Sequence, residues 1–287
     1  MSWPGGEPAE AVVRSGIRLT APEDPLLYLY GIVPSDAPDP PADLRGVQGA
    51  PVGVLEAAGA RALVSEIPEE GYSAEEIDEQ LQDVKWVGAR GAEHERVLTW
   101  FVDRGTVIPF SLFSLHRDAD ALAGRLDEMR DEIAAALAAL VGRREWGVRI
   151  WADEAALAER ADRLSPRLSG LRQELEQASP GRRFLLSKKL DGLRADEARR
   201  LAREGAAGAF DRLKERAEAA ARKPAPSRGG ERRLVLDAAF LVPEGDYDAF
   251  QAEVGALAGE LAEAAMEVQF TGPWPPYHFS RLGGGTS

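Results

Sequence analysis

The second half of the chain narrows the fold most. Trp146, Val148 and Ile150 alternate with Gly147, Arg149 and Trp151, the period of a strand. Leu234 to Val242 is a second apolar run, closed by Pro243, and Met266, Val268 and Phe270 alternate into a third. Between these runs the spacing becomes helical. Leu157, Leu164, Leu168, Leu171 and Leu175 form one stripe despite Pro166, and Ser179-Pro180-Gly181 breaks it. Residues 183–222 read as a further helix, and Phe250, Val254, Leu257 and Leu261 as another. Helices crossing between strands cover one face of a sheet. The pattern predicts an α+β fold of two domains, the second a modified ferredoxin-like α/β sandwich with extra helices.

The first half reads as a smaller α+β unit. Leu26 to Val33 is a buried strand stopped by Pro34. Val52 to Leu55 and Ala62 to Ile67 flank Gly59 as a hairpin. Ser73 and Glu76 have the spacing of a capping box, opening helical residues 74–104. Val107 to Phe113 is a strand candidate. Leu122, Leu126, Met129, Ile133, Leu137 and Leu140 then make a single apolar helix stripe ended by Gly142. The expected organisation is a flexible leader 1–24, a domain 25–115, a domain 116–280 with the Lys223–Gly230 linker inside it, and a flexible tail 281–287.

Composition excludes several classes. The chain has no cysteine, which removes disulfides, thiolate metal sites and a cysteine nucleophile. No apolar run approaches the roughly 20 residues that span a bilayer, and no signal peptide opens the chain. The net charge of -13 and the scarcity of aromatics argue against nucleic acid. A cytoplasmic protein is expected. The charge is uneven: residues 66–84 hold eight acids and no base, while residues 181–233 hold 16 Lys or Arg against eight acids. Such asymmetry either selects partners or forms solvated faces.

A search for chemistry returns no catalytic, cofactor-binding or metal-ligating residues. His94, His116 and His278 lack metal-ligand spacing, and phosphate-loop, dinucleotide and serine-elbow motifs are absent. Candidate partner contacts are Leu27, Tyr28, Leu29 and Tyr30, as an edge strand or else a central core strand. Glu75 and Glu76 in the acidic segment are further candidates. So are Lys188 and Lys189 in the densest basic cluster, with Arg182 and Arg183. Gly272 to Phe279 (GPWPPYHF) is a stiff, extended segment carrying Trp274, Tyr277 and Phe279. It either displays these rings to a partner or clamps them on its own core. Burial of large rings favours the clamp, placed on the second domain.

Five blocks in order resemble the GvpL/GvpF gas vesicle proteins. They are Leu27-Tyr28-Leu29-Tyr30-Gly31-Ile32-Val33, Glu145-Trp146-Gly147-Val148-Arg149, Gly181-Arg182-Arg183-Phe184-Leu185-Leu186, Leu236-Asp237-Ala238-Ala239-Phe240-Leu241-Val242, and Gly272-Pro273-Trp274-Pro275-Pro276-Tyr277. One block departs. The family reads proline, apolar residue, arginine, phenylalanine, glycine where this chain has Pro109-Phe110-Ser111-Leu112-Phe113. The resemblance implies a non-enzymatic accessory or minor structural protein of gas vesicles, without cofactor. It would bind the hydrophobic GvpA-type shell subunit and assist nucleation and assembly. Other accessory proteins are further implied partners. The alternatives are a scaffold for those proteins, or a small-ligand-binding or enzymatic ferredoxin-like protein. Glu145, Trp146, Gly147, Gly272, Pro273, Trp274, Pro275, Pro276 and Tyr277 are expected to be structural.

Overall fold

The computed structural model describes residues 25–224, 232–280 and 282. The expected leader 1–24, most of the Lys223–Gly230 linker and the tail, apart from Leu282, lie outside these residues. Two antiparallel sheets and eight α-helices are present among the described residues. The contact pattern divides the chain after Gly142, and residues from Pro275 onward rejoin the first unit. The sequence reading drew this boundary at residue 115.

In the first unit, β1 (Leu26–Pro34), β2 (Gly53–Ala57) and β3 (Ala60–Ile67) are followed by α1 (Ala74–Gln80) and α2 (Val84–Val102). Then come β4 (Ile108–Pro109), β5 (Leu115–His116), α3 (Ala119–Glu128) and α4 (Arg130–Leu140). The strand order is β2-β3-β1-β4, with β5 also pairing β1. β1 is therefore central, which is why its apolar run is unbroken. Ala58 and Gly59 join β2 to β3 with φ of 56° and 70°, the left-handed pair of a tight hairpin turn. Tyr28, Tyr30, Leu63 and Ile67 pack with Val97, Leu98, Phe101 and Val102 of α2 in one core.

The capping box at α1 forms as expected, with Ser73 and Glu76 exchanging backbone hydrogen bonds. Asp83 restarts the chain as α2 by accepting from the amides of Lys85 and Trp86. The strand expected over Val107–Phe113 shrinks to two residues. Pro109 has no N–H for the ladder, and Phe113 turns into left-handed space at φ 65°. The stripe from Leu122 to Leu140 belongs to two helices that part at Met129 (φ -98°, ψ 12°). The apolar period carries across the break, so the sequence reads as one helix. α3 packs against β2, and Asp127 of α3 accepts from the Ala58 amide at 2.6 Å. These helices thus belong to the first unit.

In the second unit, β6 (Arg143–Asp153) leads to α5 (Glu154–Leu164), α6 (Pro166–Gln177) and α7 (Pro180–Lys214). β7 (Ala219–Arg222), β8 (Arg232–Pro243), α8 (Tyr247–Ala262) and β9 (Met266–Trp274) complete it. The sheet order is β7-β8-β6-β9, antiparallel throughout. Val148, Ile150, Phe240, Val242, Phe250 and Ala206 share its core.

Two expectations change here. Pro166 does not sit inside a helix. It is the first residue of α6, where its missing N–H costs nothing, and Ser165 caps that helix. The helix expected over 183–222 stops at Lys214. Ala219 to Arg222 instead pair with Ala238 to Leu241.

Candidate functional site

β1 has no open edge, so the edge-strand reading of Leu27 to Tyr30 gives way to the central-strand one. Tyr28, Leu29 and Tyr30 are fully buried. The two tyrosines organise a polar network inside the core. Tyr28 Oη lies 2.9 Å from His94 Nδ1 and accepts from the Phe113 amide at 3.2 Å. Tyr30 donates to Ser65 Oγ at 3.0 Å and accepts from the Val47 amide at 2.8 Å. Burial raises the Tyr28 hydroxyl far above its ordinary range and the Tyr30 hydroxyl to about 12. Burial lowers His94 to about 4, weakly opposed by the Phe110 carbonyl. These groups remain neutral at physiological pH and serve packing.

Leu27 alone of the four reaches a surface cavity. Strand register puts Leu27, Glu66, Val64, Gly53, Ala62 and Leu55 on one sheet face. Tyr28, facing the other way, meets α2. Leu27, Gly53, Leu55 and Val64 of the first face, with neighbouring atoms of Val52 and Val54, line a largely apolar groove of about 150 Å³. β2 borders it and, among the described residues, pairs on one side only, with β3. Ala119 at the start of α3 closes one flank. The groove draws on four chain segments, so no single motif announced it. The one signal was the Val52–Leu55 run.

The charged candidates differ from one another. Glu76 is committed to the cap of α1: it accepts from the amides of Ser73 and Gly71, and the Ser73 side chain first, then these amides, lower its pKa. Glu75 is exposed on the same helix. Glu69 pairs with Arg117 at 2.5 Å. Lys188 and Lys189 are exposed on α7 and make no ion pair among the described residues. Beside them Phe184 and Leu185, of the Gly181–Leu186 block, are 68% and 67% exposed.

The Glu145-Trp146-Gly147 and Gly272-Pro273-Trp274 blocks meet in one place. β6 and β9 pair Glu145 with Trp274 and Gly147 with Thr271. A Cβ on Gly147 would lie 2.8 Å from Thr271 Oγ1, and one on Gly272 would lie 3.1 Å from the Glu145 carbonyl oxygen. Both glycines allow this approach, and Gly272 also has φ +124°. Trp146 stacks between Tyr247 and Phe270, with centroids 4.7 and 5.0 Å away. Trp274, expected as a buried clamp, is 45% exposed and donates to Thr271 Oγ1 at 3.0 Å. β9 is an edge strand, so its outer side chains lack a covering layer. Tyr277 does clamp, but in the first unit: it packs on the core of Tyr28 and Phe101 and donates to Glu95 Oε1 at 2.7 Å.

Among the described residues, no group of three His, Asp or Glu could hold a metal ion. No helix among them is long and apolar enough to cross a membrane.

The chain is an α+β protein with two antiparallel sheets and an apolar groove beside β2. Its relatives make the class specific. The family model for "Gas vesicle synthesis protein GvpL/GvpF" matches residues 26–281, and the chain belongs to that family. It is 26% identical to gas vesicle protein L of Streptomyces sp. (strain CB03234) over 262 residues, covering 90% of this chain and 94% of that one. It is 28% identical to gas vesicle protein F of the same strain over 254 residues, covering 88% and 98%. The crystal structure of gas vesicle protein GvpF from Microcystis aeruginosa shares the fold, with a TM-score of 0.62 at 21% identity. That match covers 90% of this chain and 99% of the other.

Proposed function

We propose that this gas vesicle family member is a non-enzymatic accessory or minor structural protein of the cytoplasm. It binds the hydrophobic GvpA-type shell subunit and assists nucleation and assembly of the vesicle. The groove bordered by β2 carries this reading. A shell subunit exposes apolar surface before it polymerises, and a one-sided strand beside an apolar groove can accept such a segment by strand addition. The acidic balance of the chain keeps the pair soluble. The first unit, residues 25–142 with the segment from Pro275, holds the contact. The second unit is a ferredoxin-like sandwich with α5 and α6 inserted in its first crossover, a reading supported by its strand order.

The test fills the groove. A Cβ on Gly53 meets only the Val64 carbonyl oxygen, at 3.9 Å, so Gly53→Phe projects a ring into the groove without displacing the core. Leu27→Ala is the milder companion. Both full-length variants are expected to lose capture of the purified shell subunit while melting within a few degrees of the parent. Undiminished capture by both would sink the assignment. A scaffolding role toward other accessory proteins is the second reading, favoured by the exposed Phe184 and Leu185. Co-purification with those proteins, but not with the shell subunit, is its signature.

A further inference from the structure

Two exposed surfaces of the chain match each other in chemistry. One is the start of α7. This helix has 35 residues, and its buried positions begin only at Leu190. The ten residues before it, from Pro180 to Lys189, bury nothing, and in the preceding α6 only Leu168 is buried. Phe184 and Leu185 stand exposed there. Lys188 and Lys189 follow each of them by four residues, so the apolar and cationic side chains share one face. Arg182 and Arg183 add charge two residues before Phe184 and Leu185. Arg182 has only a 3.9 Å contact to Glu174, with its side chain 70% exposed.

The other surface is residues 70–84. Glu75, Asp78 and Glu79 lie on one exposed face of α1 at positions i, i+3 and i+4. Glu70 is exposed just before it. Leu81 and Val84, 47% and 83% exposed, sit at the end of that helix and the start of the next. These two surfaces supply four of the six most exposed large apolar side chains among the described residues. One pair is set among cations and the other among carboxylates.

We propose that the two surfaces are the halves of one interface between copies of this chain. The basic, Phe184-bearing tip of α7 docks on the acidic, Leu81- and Val84-bearing segment of a second copy. Four cations face four carboxylates, and the apolar side chains bury against one another at the centre. Charge complementarity selects a second copy over an anionic membrane surface. A membrane would take the tip but leave Leu81 and Val84 uncovered and repel the carboxylates around them. The two halves are different patches, so the contact is heterologous. Each bound copy presents a free tip and a free acidic segment, and association continues into rings or open chains. None of the residues of this contact lines the groove beside β2, so the two are tested by separate variants. An array of such copies would present many grooves side by side.

The experiment is sedimentation velocity on the full-length protein over a concentration series at low and high salt, with a charge-swap pair. One variant carries Arg182→Glu, Arg183→Glu, Lys188→Glu and Lys189→Glu. The other carries Glu70→Lys, Glu75→Lys, Asp78→Lys and Glu79→Lys. The parent is expected to gain mass with concentration at low salt and to lose it as salt rises, because exposed charges are screened. Each variant alone should associate about tenfold more weakly or not at all, and an equimolar mixture should recover association. Phe184→Ser with Leu185→Ser should weaken it without changing its salt dependence. A parent that stays monomeric throughout would overturn the proposal. So would a mixture that fails to recover, or flotation of the tip with anionic phosphatidylserine vesicles in place of self-association.

Discussion

The Tyr277 hydroxyl donates to Glu95 Oε1 at 2.7 Å, linking two residues 182 positions apart. Glu95 lies in the middle of α2, and its second oxygen is buried without a hydrogen-bond partner among the described residues. Burial raises its carboxyl above the ordinary value, and the Tyr277 bond pulls it back. The C-terminal GPWPPY block thus ends on a buried carboxylate of the first unit.

Tyr277→Phe should remove a charge-assisted bond and cost about 1.5–3 kcal/mol of stability at neutral pH. The raised carboxyl fixes the pH dependence. Its contribution is fully present below the unfolded value and is lost as pH rises through the folded one. Glu95→Gln keeps the acceptor oxygen and removes the buried charge. Its stability relative to the parent should therefore climb as pH rises above 4.5, read by urea melts. A flat difference from pH 4 to 8 would mean that Glu95 is not held in a desolvated site.

His94 works in the opposite direction. It is almost fully buried, and burial holds it near pKa 4 against an ordinary 6.5. The folded protein therefore binds fewer protons than the unfolded chain between these values. Stability should fall as pH drops from about 6.5 towards 4, by up to about 3 kcal/mol. His94→Gln should flatten urea midpoints in that window, at the cost of a packing loss that is constant with pH. A parent whose midpoint is unchanged from pH 7 to 4.5 would contradict the burial of a neutral imidazole.

The β6–β9 crossing distinguishes two residues of the GPWPPY block. Trp274 is nearly half exposed, so Trp274→Ala should cost only about 1 kcal/mol, chiefly its bond to Thr271. Gly272→Ala should cost more, about 2 kcal/mol or above. It forces a Cβ against the Glu145 carbonyl and a side chain into φ +124°. Thermal melts of the two variants, compared side by side, decide the order. A Trp274→Ala loss exceeding that of Gly272→Ala would place the tryptophan in a packed site after all.

Much of the fold was legible because side-chain period reports burial. Val148 and Ile150 against Arg149, and Phe250 to Leu261 at helical spacing, mark elements wherever they occur. β7 escaped because Ala219, Ala220 and Ala221 have no side-chain contrast, and only pairing with β8 makes them a strand. Pro166 was misplaced because a leucine stripe continues across two helices when the second begins in phase. The helices α3 and α4 were assigned to the wrong unit for a related reason: an apolar stripe shows that a helix is covered, not which sheet covers it. The groove and the Tyr277–Glu95 bond are non-local. The former needs the register of β1, β2 and β3, and the latter joins residues 182 positions apart.

Phe113 carries the last prediction. Its φ of 65° is the conformation glycine adopts without strain. A phenylalanine there stores about 1–2 kcal/mol of backbone strain. What holds it is its ring, stacked on Trp86 with centroids 5.2 Å apart and planes 17° apart, and packed beside Tyr72. Its amide also donates to Tyr28 Oη. Phe113→Gly relieves the strain and keeps the amide, but forfeits a half-buried aromatic contact that outweighs the relief. The net change should be a loss of about 1 kcal/mol. In a Trp86→Ala background the stack is already gone, so the same substitution should turn neutral or stabilising. A double-mutant cycle by urea denaturation reads this coupling directly. Phe113→Gly costing the same in both backgrounds would show that the Trp86 stack does not hold the left-handed residue in place.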